Sequence, residues 1–574
     1  MLRSEIQKQI RDAIGALWPD VAALSVEVSA PEQPDHGDYA SSVALLLSRA
    51  LKQDPMKVAE ELAKQLKKID DQKGWKMEIA KPGFLNFFIA DQTLLCLLKN
   101  IVENPETFGE SAIGNGKTVM VEYFQLNVAK PPHVGHIRSA IIGDALKRML
   151  LSQGYRAVSD THVGDWGTQF GFLLLEYKGL ETVAEQGAFL SDIQTSARAY
   201  TGAVTRAITE PERREMAKKE FAKLEHGDAE NRRIWEKLVE TSMRELKRSA
   251  EHLGLLPFDE HGGESFYEDK MRPIVELALE KGIAKRLDDG AIIVDLINEG
   301  LDEAVLMKSD GASTYLLRDL ATIQYRKQKW EFWKNLYVVD VRQSHHFRQL
   351  FRVAELLGLD GAGESEHVAY GFMKLPEGGA ISTRGGTSIS LDVVLTEATT
   401  RARKVIAEKT PDLKDADDVA RMVGIGALKY FDLSHHRKSD ITFAWDRALS
   451  FEGNTGPYLQ YTHARFKSIV RKSGAHEHRF SPDVALDSAE RNLLAALIRF
   501  PEAIEDGLTV WSPHVLAAYL YDLAVRANGL YHAAPILAAT DEEKKRFLLA
   551  LVFAAASTLK KGLHLLGIDA PEEM

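Results

Sequence analysis

Residues 118–154 read TVMVEYFQLNVAKPPHVGHIRSAIIGDALKRMLLSQG. The first seven are mostly β-branched or aromatic, the composition of a buried strand. A loop containing two prolines follows. Apolar residues then recur at Ile137, Ile141, Ala145, Met149 and Leu150. That is helical spacing, and Gly154 ends it. The next stretch, YRAVSDTHVGDWG, reads as a second strand and its loop. Strand, loop, helix and strand in this order predict the opening of a parallel α/β sheet.

Working outward, strand-like runs return at AIIVDL (291–296) and LYVVDV (336–341), with helix between them. The α/β region is expected to close near residue 395. Residues 182–262 are charged and helical and read as an insertion. Upstream, helical patterns cover Leu2–Leu17 and Met56–Leu66, and FLNFFIA from Phe84 reads as a strand. Its alternation places Phe84 and Asn86 on an exposed face. The stretch ENPETFGESAIGNGK is rich in turn residues and predicts a linker. From about residue 397 to the end the periodicity is helical, so a bundle is expected. The predicted division is an α+β unit over 1–110, an α/β unit over 111–396 and an all-α unit over 397–574.

The chain has 574 residues, 45% of them hydrophobic and 27% charged, with a net charge of −11. Cores of useful size can be buried, and global disorder is excluded. A histone-like polycation is excluded too, although a local basic face is not. One such region runs from Arg421 to Arg479, with ten Lys or Arg against five Asp or Glu. Aromatic residues are interleaved there at Tyr458, Tyr461 and Phe466, which suits a nucleic-acid surface. The single cysteine, Cys96, excludes an intramolecular disulfide framework and any multi-cysteine metal site. A reducing compartment is the natural reading. The start lacks the apolar run of a signal peptide. No stretch approaches the ~20 apolar residues of a membrane span. The most apolar segment, Phe547 to Leu559, predicts a buried helix.

The most informative piece is His133-Val134-Gly135-His136, placed between a strand and a helix start. Ligands of open α/β sheets bind outside the carboxyl ends of the strands. A helix N-terminus there offers free N–H groups to an anion. Gly135 leaves room for a close approach. Two imidazoles three residues apart share a helix face or flank its first turn, and can donate to a phosphate whose charge grows as pyrophosphate leaves. Neither a P-loop nor a dinucleotide fingerprint is present, and no H-E-x-x-H accompanies the pair. Taken alone, the pair is equally compatible with a surface or capping role.

The run VEYFQLNVAKPPHVGHIRSAIIGDALKRML, followed by THVGDWGTQFG, resembles the class I aminoacyl-tRNA synthetases and, within them, the arginyl-tRNA synthetases. His133–His136 match the class I "HIGH" signature. The resemblance continues through FDEHGGESFY, STYLLRDLA, YVVDVRQSHHFRQLF, GALKYFDLSHHRKSDITFAWDRALSFEGNTGPYLQYTHAR and KKGLHLLGIDAPEEM. HGDYAS (36–41) and KPGFLNFFI (81–89) resemble the family's N-terminal domain. Almost the whole chain is covered.

The resemblance implies a Rossmann-like catalytic domain between an N-terminal tRNA-contacting domain and a helical anticodon-binding domain. It implies activation of L-arginine by ATP and transfer to the 2′-OH of tRNA(Arg). Mg²⁺ would accompany the phosphates, with no zinc and no protein-held metal. His133, Gly135 and His136 would serve the triphosphate. Glu122, Asn127, Glu264, Tyr315, Asp319 and Gln343 would line the amino-acid site, with Asp319 and Tyr315 at the guanidinium. Carboxylates in bidentate geometry are the natural receptors for such a group. Without the resemblance, Asp319 reads equally well as a surface ion pair with Arg318. Asp165 and Gln169 are expected on the adenosine or amino-acid side. Phe84 and Asn86 would contact the tRNA D-loop. Tyr458, Tyr461, Tyr531 and Met574 would contact the anticodon. A cytoplasmic monomer without membrane association is implied.

Three departures stand out. The second class I signature, K-M-S-K, is replaced by Ser382-Thr383-Arg384-Gly385-Gly386. Lys130, three residues before His133, is expected to supply the missing cation, with Arg384 adding charge. Phe124-Gln125-Leu126 stand where small residues and a proline are common. GALK (426–429) replaces D-A-L-R, keeping the basic end as Lys429.

Overall fold

Thr118–Glu122 (β1), Arg156–Asp160 (β2), Lys334–Tyr337 (β3) and Ser365–His367 (β4) form one sheet in the order β4-β3-β1-β2. Every pairing in it is parallel. The computed structural model describes residues 1–21, 25–31, 33–69, 74–374, 389–475 and 478–574. From β1 the chain crosses through the helix Ile137–Ser152 (α1) to β2 on one side, whereas β3 and β4 add on the other. Strand order therefore reverses between β1 and β3, and a crevice opens at their carboxyl ends. All five residues of β1 are buried.

Helix α1 is enclosed nearly all round. Ile137 to Leu150 are buried, including Arg138, Asp144, Lys147 and Arg148. A helix can hold such charges inside only if each is paired. Arg138 makes a two-pronged contact with Asp432 at 2.9 and 3.1 Å. Lys147 meets Asp259 at 2.7 Å, and Arg148 meets Asp144 at 2.7 Å. Asp432 belongs to the helical C-terminal region, so the first of these pairs ties the sheet layer to the bundle.

The expected insertion is four helices, Val183–Ser191, Ile193–Thr209, Pro211–Glu225 and Ala229–His252. The run at 291–296 joins a different sheet from the one expected. Ile292–Val294 is the middle strand of an antiparallel trio with Ala284–Arg286 and Ala304–Met307. That sheet backs the helix Tyr315–Trp330 (α2), whose N-cap Thr314 accepts from the Leu317 N–H.

The helix Leu391–Lys409 runs straight across the expected boundary at residue 396. Beyond it, the bundle contains Ala416–Leu433 (α3), Gly456–Ser473 (α4), His514–Ala533 (α5) and Glu542–Leu565 (α6). Among the described residues, α6 is the one helix long and apolar enough to cross a membrane. Most of it is buried against the bundle, as expected of a core helix. The N-terminal unit has a three-stranded antiparallel sheet with Phe84–Ile89 in the centre.

Candidate functional site

A cavity of about 810 Å³ occupies the crevice beyond the carboxyl ends of β1 and β3. His133, Gly135 and His136 line one part of it. Glu122, Asn127, Glu264, Tyr315, Asp319 and Gln343 line another. Asp165, Gln169 and Lys130 are not among its lining residues. Ser382, Thr383 and Arg384 lie outside the described residues.

The two histidines flank a single 3₁₀ turn, Val134–His136. The Gly135 N–H donates to His133 Nδ1 at 3.1 Å, and the His133 N–H donates to His136 Nδ1 at 3.1 Å. The ring centroids are 3.9 Å apart. Burial and the positive charge of Lys130 pull the His133 imidazole down. Burial, then His133, take His136 to about 3. Both rings are therefore neutral near pH 7. Because each Nδ1 accepts, each proton sits on Nε2, which is left to donate. Gly135 is required by its own neighbour. A Cβ there would sit 2.8 Å from the His133 ring.

The loop is held from two sides. The Val134 N–H donates to Ile389 O, and the Leu391 N–H to Pro132 O. Residues 389–391, which leave the segment holding the departed second signature, are thus stitched to the histidine turn. On the other side, the Val128 N–H donates to Gly164 O in the loop after β2, and the Gly164 N–H donates to Leu126 O. Phe124 is fully buried at φ +58°, and its N–H donates to Ser139 Oγ at 3.0 Å. Gln125 donates to Glu122 Oε1 at 3.1 Å and accepts from Ser139 Oγ. The departure at 124–126 therefore braces Glu122.

Tyr315 and Asp319 lie one turn apart on α2, facing the cavity. Tyr315 is 66% exposed, so simple core packing does not account for it. Asp319 does not pair with Arg318. His346 Nε2 lies 2.6 Å from Asp319 Oδ2, and His162 Nε2 3.9 Å from Oδ1. Arg318 turns instead to Glu264, 3.5 Å away. Burial still pushes the Glu264 carboxyl up, to about 7, against the pull of Arg318. Burial pulls the His162 ring down, but Glu122 and Asp319 outweigh it and the net shift is upward.

Asp165 is buried, and burial pushes its carboxyl up. It accepts from the Ser265 N–H and hydroxyl at 2.9 and 2.7 Å. It locks the loop carrying Glu264 rather than facing the cavity. Gln169 donates to Gly164 O. Lys130 is exposed, with its ammonium 5.5 Å from the Tyr200 ring.

His162, His346 and Arg326 were not singled out from the sequence. His162 follows β2 at its carboxyl end, the position at which a parallel sheet offers ligands. Arg326 lies seven residues after Asp319 on α2, hence on the same face.

A second cavity, about 530 Å³, opens in the bundle. Tyr458, Tyr461 and Met574 line it together with Arg465, Phe451 and Asn528. The Arg465 guanidinium lies 4.6 Å from the Tyr461 ring and 4.8 Å from that of Tyr531. Tyr531 stands beside the cavity, 40% exposed. In the N-terminal unit Phe84 is half-buried. Asn86 is only 5% exposed, which corrects the exposure expected for it. Its strand is central, with Ala40 and Glu78 on either side.

Three family profiles match successive parts of the chain. A family profile described as "tRNA synthetases class I (R), catalytic domain" matches residues 98–445. "DALR anticodon binding domain" matches 459–574, and "Arginyl tRNA synthetase N terminal domain" matches 4–89. The chain is 38% identical to the arginine–tRNA ligase of Clostridioides difficile over 576 residues, covering 99% of each. It is 37% identical to that of Clostridium acetobutylicum, covering 97% of each. Among solved structures, Thermus thermophilus arginyl-tRNA synthetase superposes with a TM-score of 0.84 at 27% identity, covering all of both chains.

Proposed function

Since the chain belongs to the arginyl-tRNA synthetases and is an arginine–tRNA ligase, we propose that the crevice at the β1/β3 switch point is where it activates arginine and charges tRNA(Arg). One observation carries this assignment of residues. A single cavity joins two neutral, Nε2-protonated imidazoles to a group of carboxylates around α2.

At the acidic end, Asp319 and Glu264 receive the arginine guanidinium, with the Tyr315 hydroxyl beside them. A group that never loses its charge calls for fixed negative partners. A neutral amino acid would forgo the charge-assisted contacts with both carboxylates, whose existing partners are His346 and Arg318, and so would bind far more weakly. Asn127 and Gln343, exposed at the cavity edge, are placed to hold the α-amino and carboxylate groups.

ATP enters as its magnesium complex, with the metal bound to the phosphates as part of the substrate. The arginine carboxylate attacks the α-phosphorus, and pyrophosphate leaves. Charge grows on the departing oxygens, and the Nε2–H groups of His133 and His136 donate to them. Being neutral and held by backbone, these donors need no rearrangement as the charge develops. Lys130 supplies the cation that the altered second signature lacks. The terminal 2′-OH of the tRNA then attacks the adenylate carbonyl, and AMP leaves.

The tRNA spans the molecule. Unstacked anticodon bases stack in the bundle cavity on Tyr458 and Tyr461, with Arg465, Tyr531 and Met574 at its margin. The N-terminal unit meets the D-loop through Phe84, with Asn86 two residues on along the same face of that strand. The working form in this reading is a monomer.

The test is aminoacylation of tRNA(Arg) transcript with MgATP and each of the twenty amino acids. Esterification of arginine alone is expected. Charging of another amino acid, or of none, would overturn the assignment.

A further inference from the structure

One charged side chain beside the cavity has no part in the account above. Arg326 is fully buried on α2, in line with Tyr315 and Asp319. Its Nη2 lies 2.6 Å from Glu122 Oε2 and 2.7 Å from Asp160 Oδ2. Glu122 and Asp160 are direct register partners at the carboxyl ends of β1 and β2. Tyr337 is the partner of Glu122 on β3, and its ring lies 5.5 Å from the Arg326 guanidinium. A buried guanidinium thus bridges the ends of two central strands, beside a third.

Two adjacent buried carboxylates cannot both stay ionised without a cation, and one would take up a proton. Arginine is the residue type that provides such a cation without losing its charge when buried. The remaining Asp160 oxygen accepts from the Gly262 and His162 N–H groups at 2.8 and 3.2 Å. The bridge therefore reaches the loop bearing His162 and the loop bearing Glu264. Gln125 holds the other oxygen of Glu122. Arg326 itself does not line the cavity, whereas Glu122 does.

We propose that Arg326 is a positioning residue for arginine selection. It pins Glu122, ionised and correctly turned, as a fixed negative charge in the floor of the amino-acid cavity. This rests on the reading that Glu122 faces the amino acid. Arg326 acts through Glu122 and does not touch the substrate, so its loss should weaken arginine binding and leave ATP binding alone.

A double-mutant cycle tests this. Arg326→Gln, Glu122→Gln and the pair are compared with the unaltered enzyme in aminoacylation at saturating tRNA. For Arg326→Gln the KM for arginine should rise by about tenfold or more, with the KM for ATP within about twofold. In the Glu122→Gln background the same change should raise the KM for arginine by less than about threefold. A full effect in that background, parallel rises in both KM values, or no effect would each overturn the proposal. Should Arg326→Gln not fold, Arg326→Lys keeps the charge without the fork. It should give a smaller rise in the arginine KM, again suppressed by Glu122→Gln, and an unsuppressed rise would overturn the proposal equally. Failure of the unaltered enzyme to charge arginine would instead remove the functional reading beneath it.

Discussion

The backbone N–H of His133 donates to the ring of His136, and the ring of His133 accepts from the turn between them. The pair is thus locked in one tautomer before any ligand arrives. Replacing His136 by Ala removes a preorganised donor and the acceptor that shapes the turn. The expected loss in kcat is about 10²–10³-fold, with the KM for arginine nearly unchanged. His136→Asn should recover part of the rate. Steady-state aminoacylation with each variant checks this, and an arginine KM rising as steeply as kcat falls would contradict it.

The acid limb of the pH profile should belong to Glu264. Burial pushes its carboxyl up to about 7, whereas burial takes His136 down to about 3. Below pH 7 Glu264 is protonated and loses the charge that attracts the guanidinium. The KM for arginine should therefore rise as pH falls from 8 to 6, while the KM for ATP follows only the phosphate's own ionisation. Glu264→Gln should flatten the arginine dependence and leave a uniformly high KM. A profile unchanged by that substitution would assign the limb to another group.

Asp319 tests the charge itself. Asp319→Asn keeps the shape and a partner for His346 but removes the negative charge. A charge-assisted contact is worth about 1.5–3 kcal/mol, so kcat/KM for arginine should fall by about 10- to 150-fold. Inhibition by the neutral isostere citrulline should change far less. Equal losses for both ligands would mean that Asp319 shapes the cavity without reading charge.

Much of this was legible in the sequence because local and global signals agree. The run from Thr118 to Gly154 carries its strand, its helix and its stop within 37 residues of chain. The histidine turn and the Tyr315/Asp319 spacing follow from the same periodicities. Other features depend on pairing that no local pattern states. Ile292–Val294 looks like any buried strand, and only the fold shows that its partners are antiparallel. Asn86 alternates correctly, yet a central strand is covered by both neighbours. Arg326 carries no local signal of its role, because the carboxylates that hold it inside lie 204 and 166 positions earlier in the chain. That a Cβ at Gly135 would also crowd the His133 ring, at 2.8 Å, is likewise visible only in the fold.

Lys130 lies three residues before His133, and its charge is felt by both rings. Lys130→Ala should lower tRNA-dependent pyrophosphate exchange by about tenfold or more, the loss of one charge-assisted contact in the transition state. Lys130→Arg should retain most of the rate. The two histidines should titrate slightly higher in Lys130→Ala, because a like charge has gone. Normal exchange in Lys130→Ala would leave the departed second signature without a substitute on this side of the cavity.

Lys429, the residue that ends GALK, is 1% exposed, and burial draws its ammonium down to about 8. It donates to Gly567 O at 2.5 Å, with Asp144 and Arg148 of α1 nearby. The folded state therefore binds this proton less tightly than the unfolded chain does. Between about pH 8 and 10.5 the unfolded chain holds more protons, so this group's contribution to stability rises with pH across that window. Below pH 8 the cost is fully present. Lys429→Met removes the charge and keeps the length. It should raise the apparent unfolding midpoint at pH 7 by an amount equivalent to about 1–3 kcal/mol, less the lost hydrogen bond. The gain should shrink towards pH 9.5. A variant destabilised equally at both pH values would show that the Gly567 contact outweighs the desolvation of the charge.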